Sequence, residues 1–205
     1  VSPSRPNNPG GMKSFLKFSF LLLPLVATAI QAGDWPQWRG VSRDGVAIDE
    51  KPLSRLPAKA QMAWQIPVGK GQGGLVLADG KLLVLHETNV GGKPMETAVL
   101  IDSATGKVVW EAPYSKSWQY TNVYGPGPRT APMIDGDLIF CQSATGVLAC
   151  ISLKKGGLLW SKSYEKDFGA KWFGGNAPGS SGTAASRHGN NGAPVVDGKH
   201  IYAAA

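Results

Sequence analysis

Histidine and cysteine are scarce, at three and two among 205 residues. His86, His188 and His200 share no metal-ligand spacing, so no metal site is expected. Apolar runs are short as well. The one near the amino terminus is broken at Pro24 and falls short of the roughly twenty residues a membrane-spanning helix needs. Basic clusters are also missing. Lysine and arginine total 21 against 14 acidic residues, but Arg5, Lys13 and Lys17 lie in the first 32 positions, which leaves 18 against 14 beyond them. Those 18 are spread over loops and strand ends, which argues against a nucleic-acid partner.

What is present is a repeated unit, seen most cleanly from Arg129 to Trp160: RTAPMIDGDLIFCQSATGVLACISLKKGGLLW. Asp135-Gly136, Thr145-Gly146 and Gly156-Gly157 place glycine where two-residue hairpin loops require positive φ. The stretches between them are too short for helices and suit a pleated surface. The unit therefore reads as a four-stranded antiparallel meander. It recurs upstream, where Asp79-Gly80 lies 56 residues before Asp135-Gly136 and Trp110 lies 50 before Trp160. The difference is assigned to a polar hairpin tip, His86 to Thr97. A third copy begins at GAPVVDGKHIY, with Asp197 62 residues beyond Asp135, and runs for about two strands. Tandem four-stranded units predict an all-β, partial β-propeller: about two blades and the start of a third, with a tryptophan filling the gap between neighbouring blades.

The copies resemble the pyrroloquinoline-quinone-type (PQQ-like) propeller repeat of the quinoprotein alcohol dehydrogenase-like superfamily. Asp102, Thr105, Gly106, Lys107 and Trp110 match its pattern, and Gly156, Gly157 and Trp160 match more loosely because Ser152 stands where the pattern has Asp. Asp34-Trp35-Pro36-Gln37-Trp38-Arg39-Gly40 is similar to the stretch that often opens secreted propellers of this type. The resemblance extends from about Asp34 to the end. It implies fold strongly and function weakly.

Four segments are expected along the chain. Residues 1–11, rich in Pro and Asn, form a disordered lead. Residues 12–32 read as a signal peptide, with Lys13 and Lys17 ahead of the apolar Phe18 to Val26 and small residues before Gly33. An exported protein, periplasmic or extracellular and without a membrane span after cleavage, is expected. Residues 33–72 hold the two-tryptophan segment, predicted to pack on the propeller body, and an outer strand around Met62 to Ile66. Residues 73–205 carry the repeats. Because propellers usually close with about four to eight blades, the chain reads as the amino-terminal part of a longer protein.

If the Asp-Gly hairpins join the two innermost strands, the segments between blades gather at one mouth of the central channel. Arg129, Arg187, His188, Asn190 and Asn191 are the ligand-binding candidates there, with Arg129 and Asn191 in equivalent positions. Counting outward from a two-residue Thr145-Gly146 loop places Cys141 opposite Cys150, close enough for a disulfide. No catalytic residue is assigned. The Gly69 to Gly74 run has dinucleotide-fingerprint spacing, but a strand follows where a helix amino terminus is needed. The favoured function is a binding or scaffold propeller that meets a protein or small molecule at its mouth and carries no cofactor. The alternative implied by the resemblance is a quinone-dependent dehydrogenase of alcohols or sugars, holding PQQ and calcium, with catalytic residues in blades outside this sequence.

Overall fold

A computed structural model describes residues 33–48, 50, 55, 57–119, 125–170 and 189–204. The expected disordered lead and signal peptide, Arg187 and His188 lie outside them. Ten strands and one short helix run in the order β1 (Val76–Ala78), β2 (Lys81–Val90), β3 (Lys93–Asp102), β4 (Val108–Lys116), β5 (Met133–Asp135), β6 (Leu138–Gln142), β7 (Val147–Ser152), β8 (Leu158–Ser163), α1 (Tyr164–Phe168), β9 (Val195–Asp197) and β10 (His200–Tyr202). They form two four-stranded antiparallel meanders, β1-β2-β3-β4 and β5-β6-β7-β8, and a two-stranded sheet of β9 and β10. The fold is thus the expected partial propeller.

The alternation of side chains along the strands produces the stacking. Leu83 and Leu85 on β2 and Leu100 on β3 point to one face, where they meet Ile134, Ile139 and Ile151 of the second sheet. Each fully buried aliphatic side chain contributes about 1.5–3 kcal/mol relative to exposure. Strand β1 lies beside β5, and β4 lies against β7 and β8, so the sheets stack radially with β1 and β5 innermost.

The turns depart from the sequence reading in ways the chain chemistry explains. Ala78 pairs with Lys81, so Asp79 and Gly80 are the loop, both at positive φ as a type I′ turn requires. Asp135 instead pairs with Leu138, and the loop is Gly136-Asp137 with only Gly136 at positive φ, the type II′ pattern. The structural equivalent of Asp135 is therefore Ala78, 57 residues earlier, and not Asp79. The expected polar tip from His86 to Thr97 is mostly strand: β2 and β3 stay paired out to Val90 and Lys93, leaving Gly91-Gly92 as the turn.

The cysteine expectation fails for a related reason. The amide of Ser143 donates to Val147 at 2.8 Å, which makes Ala144-Thr145-Gly146 a three-residue loop with Gly146 at φ +81°. One extra loop residue slips the register by one, so Cys141 faces Ala149 and Cys150 faces Phe140. Directly opposed residues share a sheet face and neighbours alternate, so the two thiols lie on opposite faces. Both are free and buried.

The tryptophan pair divides. Trp35 bridges to Leu77 and is half-buried, whereas Trp38 is 61% exposed, contrary to the expectation that both pack inward. Helix α1 was not foreseen. Ser163 caps it by accepting from the Lys166 amide, and Gly169, left-handed at φ +68°, ends it.

Candidate functional site at the inter-sheet mouth

Because β1 runs toward the Asp79-Gly80 hairpin, the segments that leave β4 and enter β5 gather at the opposite end of the sheets, beside the β2–β3 and β6–β7 turns. Of the five expected rim residues, Arg129, Asn190 and Asn191 lie in such inter-sheet segments. Arg129 donates through Nη1 to Gln72 Oε1 at 3.2 Å and through Nη2 to the Gly125 carbonyl at 2.7 Å. The Gln72 amide donates to the Pro128 carbonyl at 2.8 Å, so two successive inter-sheet segments are tied at both backbone and side chain. Asn190 is bound to the second sheet, its amide donating to the Ala144 carbonyl at 3.0 Å and its Nδ2 to the same oxygen at 3.4 Å. Asn191 is exposed. Arg129 and Asn190 thus join segments at the mouth, while Arg187 and His188 fall outside the described residues.

Sequence reasoning missed two carboxylates, one at this rim and one beneath it. Glu87 on β2 and Glu96 on β3 are directly paired. Glu96 is fully buried and accepts from the Tyr114 hydroxyl at 2.9 Å and from the Ala144 amide at 3.1 Å, which ties the first sheet to the β6–β7 turn of the second. Glu87 is half-buried and accepts from the Ser117 hydroxyl and from Gln119 Nε2, the latter at 2.7 Å. Ser115 and Thr145 share a further hydroxyl hydrogen bond at 3.3 Å across the same seam. The signal was present in the alternation: Glu96 falls in phase with Ala98 and Leu100, an acid on the apolar face of a strand. Assigning that stretch to a hairpin tip hid it.

Burial pushes the Glu96 carboxyl up to about 7, against the opposing influence of the Tyr114 hydroxyl, the Ala144 amide and Arg129. The Tyr114 hydroxyl is raised too, first by burial and then by Glu96. On the other face of the first sheet, His86 is buried and held below its ordinary value by burial, with Glu111 opposing. Its Nδ1 accepts from the Gly69 amide at 2.7 Å, which fixes that nitrogen as the unprotonated one.

A calcium-bound quinone would need several oxygen ligands converging on one point. Among the described residues, no group of three His, Cys, Asp or Glu side chains is placed to hold a metal ion. Both oxygens of Glu96 already accept hydrogen bonds from the protein, and Glu87 is engaged by Ser117 and Gln119. The described residues do not fit that group, and no catalytic step is assigned to it. The rim offers hydrogen-bonding groups of both charges, from Gln72, Glu87, Arg129 and Asn191, over a sealed polar seam.

No curated protein matches the chain. Among solved structures it is similar to BamB from Moraxella catarrhalis, at 20% identity and a TM-score of 0.37 over 66% of this chain and 46% of that one. It is also similar to a europium-containing methanol dehydrogenase, at 10% identity and a TM-score of 0.27 over 49% of this chain and 26% of that one. The chain therefore spans under half the length of either structure. The model of the PQQ-repeat family described as outer membrane protein assembly factor BamB matches residues 56–205. With most of its length matched, and with the tandem four-stranded sheets that such repeats require, this chain belongs to that family.

Proposed function

We propose that this chain is part of an exported propeller that acts as a binding or scaffold module and meets its partner at the mouth described above. The observation that carries the reading is the pre-set rim. Arg129 and Gln72 hold each other in place across two inter-sheet segments, which lowers the ordering cost of binding. The partner class drawn from the family description is a protein undergoing outer-membrane assembly. Such a surface, with Glu87 and Arg129 on one rim, suits polar protein segments that present both charges. Export rests on the sequence of residues 12–32, and no helix among the described residues is long and apolar enough to cross a membrane.

The test is site-specific photocrosslinking in the exported compartment, with the probe placed at Gln72 or Asn191 on the mouth and at Lys199 in the hairpin at the other end. Adducts concentrated at the mouth and lost with Arg129→Ala support the reading, and equal labelling at both ends overturns it. Titration with the quinone and calcium provides the second arm. A bound-quinone absorbance band, or dye reduction with alcohols, would replace the scaffold reading with the dehydrogenase one.

A further inference from the structure

Leu77, Ile134 and Val196 hold the same place in three successive innermost strands, opposite Leu82, Ile139 and Ile201 in their hairpins. An innermost strand has a second edge, and its outward N–H and C=O groups need partners. One short segment supplies partners at this level in all three sheets. The Trp35 amide donates to the Leu77 carbonyl at 2.7 Å, and the Leu77 amide returns to the Trp35 carbonyl at 2.9 Å. The Ile134 amide donates to the Pro36 carbonyl at 2.8 Å, and Arg43 Nη2 donates to the Val196 carbonyl at 3.1 Å. Asp34 adds an end contact, its Oδ1 accepting from the Asp79 amide at 3.1 Å.

The segment is folded on itself rather than draped. Gly40 donates to Gln37 at 3.0 Å, Arg43 to Gly40 at 3.2 Å and Gly45 to Arg39 at 2.9 Å, all through the backbone. Gln37 is buried; its Nε2 donates to the Val41 carbonyl while its Oε1 accepts from Arg43 Nε. A twelve-residue stretch that reaches the same level on three radially stacked inner edges lies along the axis those edges surround. We propose that Asp34 to Gly45 is an axial plug, which pins the inner edges of the first three sheets and closes the channel. A ligand at the mouth then meets a floor and cannot pass through, and Trp38, in contact range of Gly74, stands exposed on that floor.

Two measurements on the chain test the plug. In the first, a nitroxide is attached at Val41→Cys, a half-exposed position, while the buried Cys141 and Cys150 stay unlabelled. Amide resonances of Leu77, Ile134 and Val196 should broaden together, and those of β4 and β8 should be spared. Broadening confined to one sheet overturns the proposal. In the second, hydrogen exchange is compared with and without residues 34–45. Exchange at Leu77 and Ile134 should accelerate roughly tenfold or more on deletion, with the Leu83 amide, bonded inside its own hairpin, unchanged. Equal exchange in the two chains overturns the proposal. Should the deleted chain fail to fold, the nitroxide result decides alone.

Discussion

The indole of Trp110, on the outermost strand of the first sheet, packs over Gly156 in the β7–β8 turn of the second, and its Nε1 donates to the Leu153 carbonyl at 2.9 Å. Trp64 repeats the arrangement one sheet earlier, donating to the Ser103 carbonyl at 2.8 Å while its ring covers Gly106. A Cβ on Gly156 would stand 2.7 Å from the Trp110 ring, and φ is +66° there. Gly156→Ala thus combines left-handed strain of about 1–2 kcal/mol with a steric clash. Trp110→Ala removes the clash partner. The double variant should therefore be more stable than the sum of the two single losses predicts, by at least about 1 kcal/mol in a denaturant-melt cycle. Simple additivity would mean that the indole and the turn are not in contact in solution.

A second expectation concerns Ser152, the residue that breaks the repeat pattern. In the first sheet the equivalent Asp102 accepts from the Thr105 amide and hydroxyl at 3.0 and 2.8 Å and pairs with Lys81 at 2.8 Å, and these contacts hold its carboxyl down to about 2. In the second sheet Ser152 keeps the contact to the amide three residues on, its Oγ accepting from Lys155 at 3.2 Å, and the carboxylate comes from Asp137 in the β5–β6 loop, which accepts from the Lys154 amide at 2.9 Å and from the Ser152 hydroxyl at 3.4 Å. Restoring the pattern with Ser152→Asp would set two carboxylates against each other. Thermal melts should show Ser152→Asp less stable than the parent, and Asp137→Gly should turn that loss into a gain. A stabilising single change would refute the placing of the Asp137 carboxylate against position 152.

These two sites also show how far the sequence could be read. The glycines and tryptophans located the sheets because each is forced: a left-handed turn or a ring covering a Cα leaves little choice of residue. Register was less legible. Asp79-Gly80 and Gly136-Asp137 both close two-residue hairpins but in different turn classes, and a one-residue difference in the Thr145-Gly146 loop moved Cys141 away from Cys150. Arg129 and Asn190 could be placed at one end of the sheets because their segments join sheets by topology. The phase of Glu96 with Ala98 and Leu100 is legible once His86 to Thr97 is strand and not tip, whereas its partner, the Ala144 amide of another sheet, is not revealed by periodicity within one strand.

The cysteines give a direct chemical check. With Cys141 opposite Ala149 and Cys150 opposite Phe140, no bridge spans the hairpin even under oxidising conditions. Burial also pushes both thiols up, so little thiolate is available to react. Intact mass after non-reducing isolation should show two thiols that resist iodoacetamide in buffer and react when guanidinium is added. A mass lower by two hydrogens would restore the disulfide.

Glu96 and His86 should tilt stability in opposite directions with pH. The carboxyl is raised to about 7 from 4.5, so its contribution is complete below about pH 4.5 and is lost as pH climbs through 7. At about 1.4 kcal/mol per unit this amounts to at most about 3.5 kcal/mol. The groups facing it are Glu87 from β2, Tyr114 from β4, Cys141 from β6, Arg129 and the Ala144 amide. For His86 the folded value is lowered, so its contribution is complete above 6.5 and is lost on acidification below that. The wild-type chain should therefore show a flattened profile between pH 5 and 8. Glu96→Gln, which keeps an acceptor for the Ala144 amide, should be more stable than wild type at pH 8 and within about 1 kcal/mol of it at pH 5. His86→Asn should expose the remaining slope, with stability falling as pH rises. Parallel denaturant melts at the two pH values decide the matter: a Glu96→Gln penalty of equal size at pH 5 and pH 8 would show that the carboxyl is ionised throughout and that the seam does not sense protons.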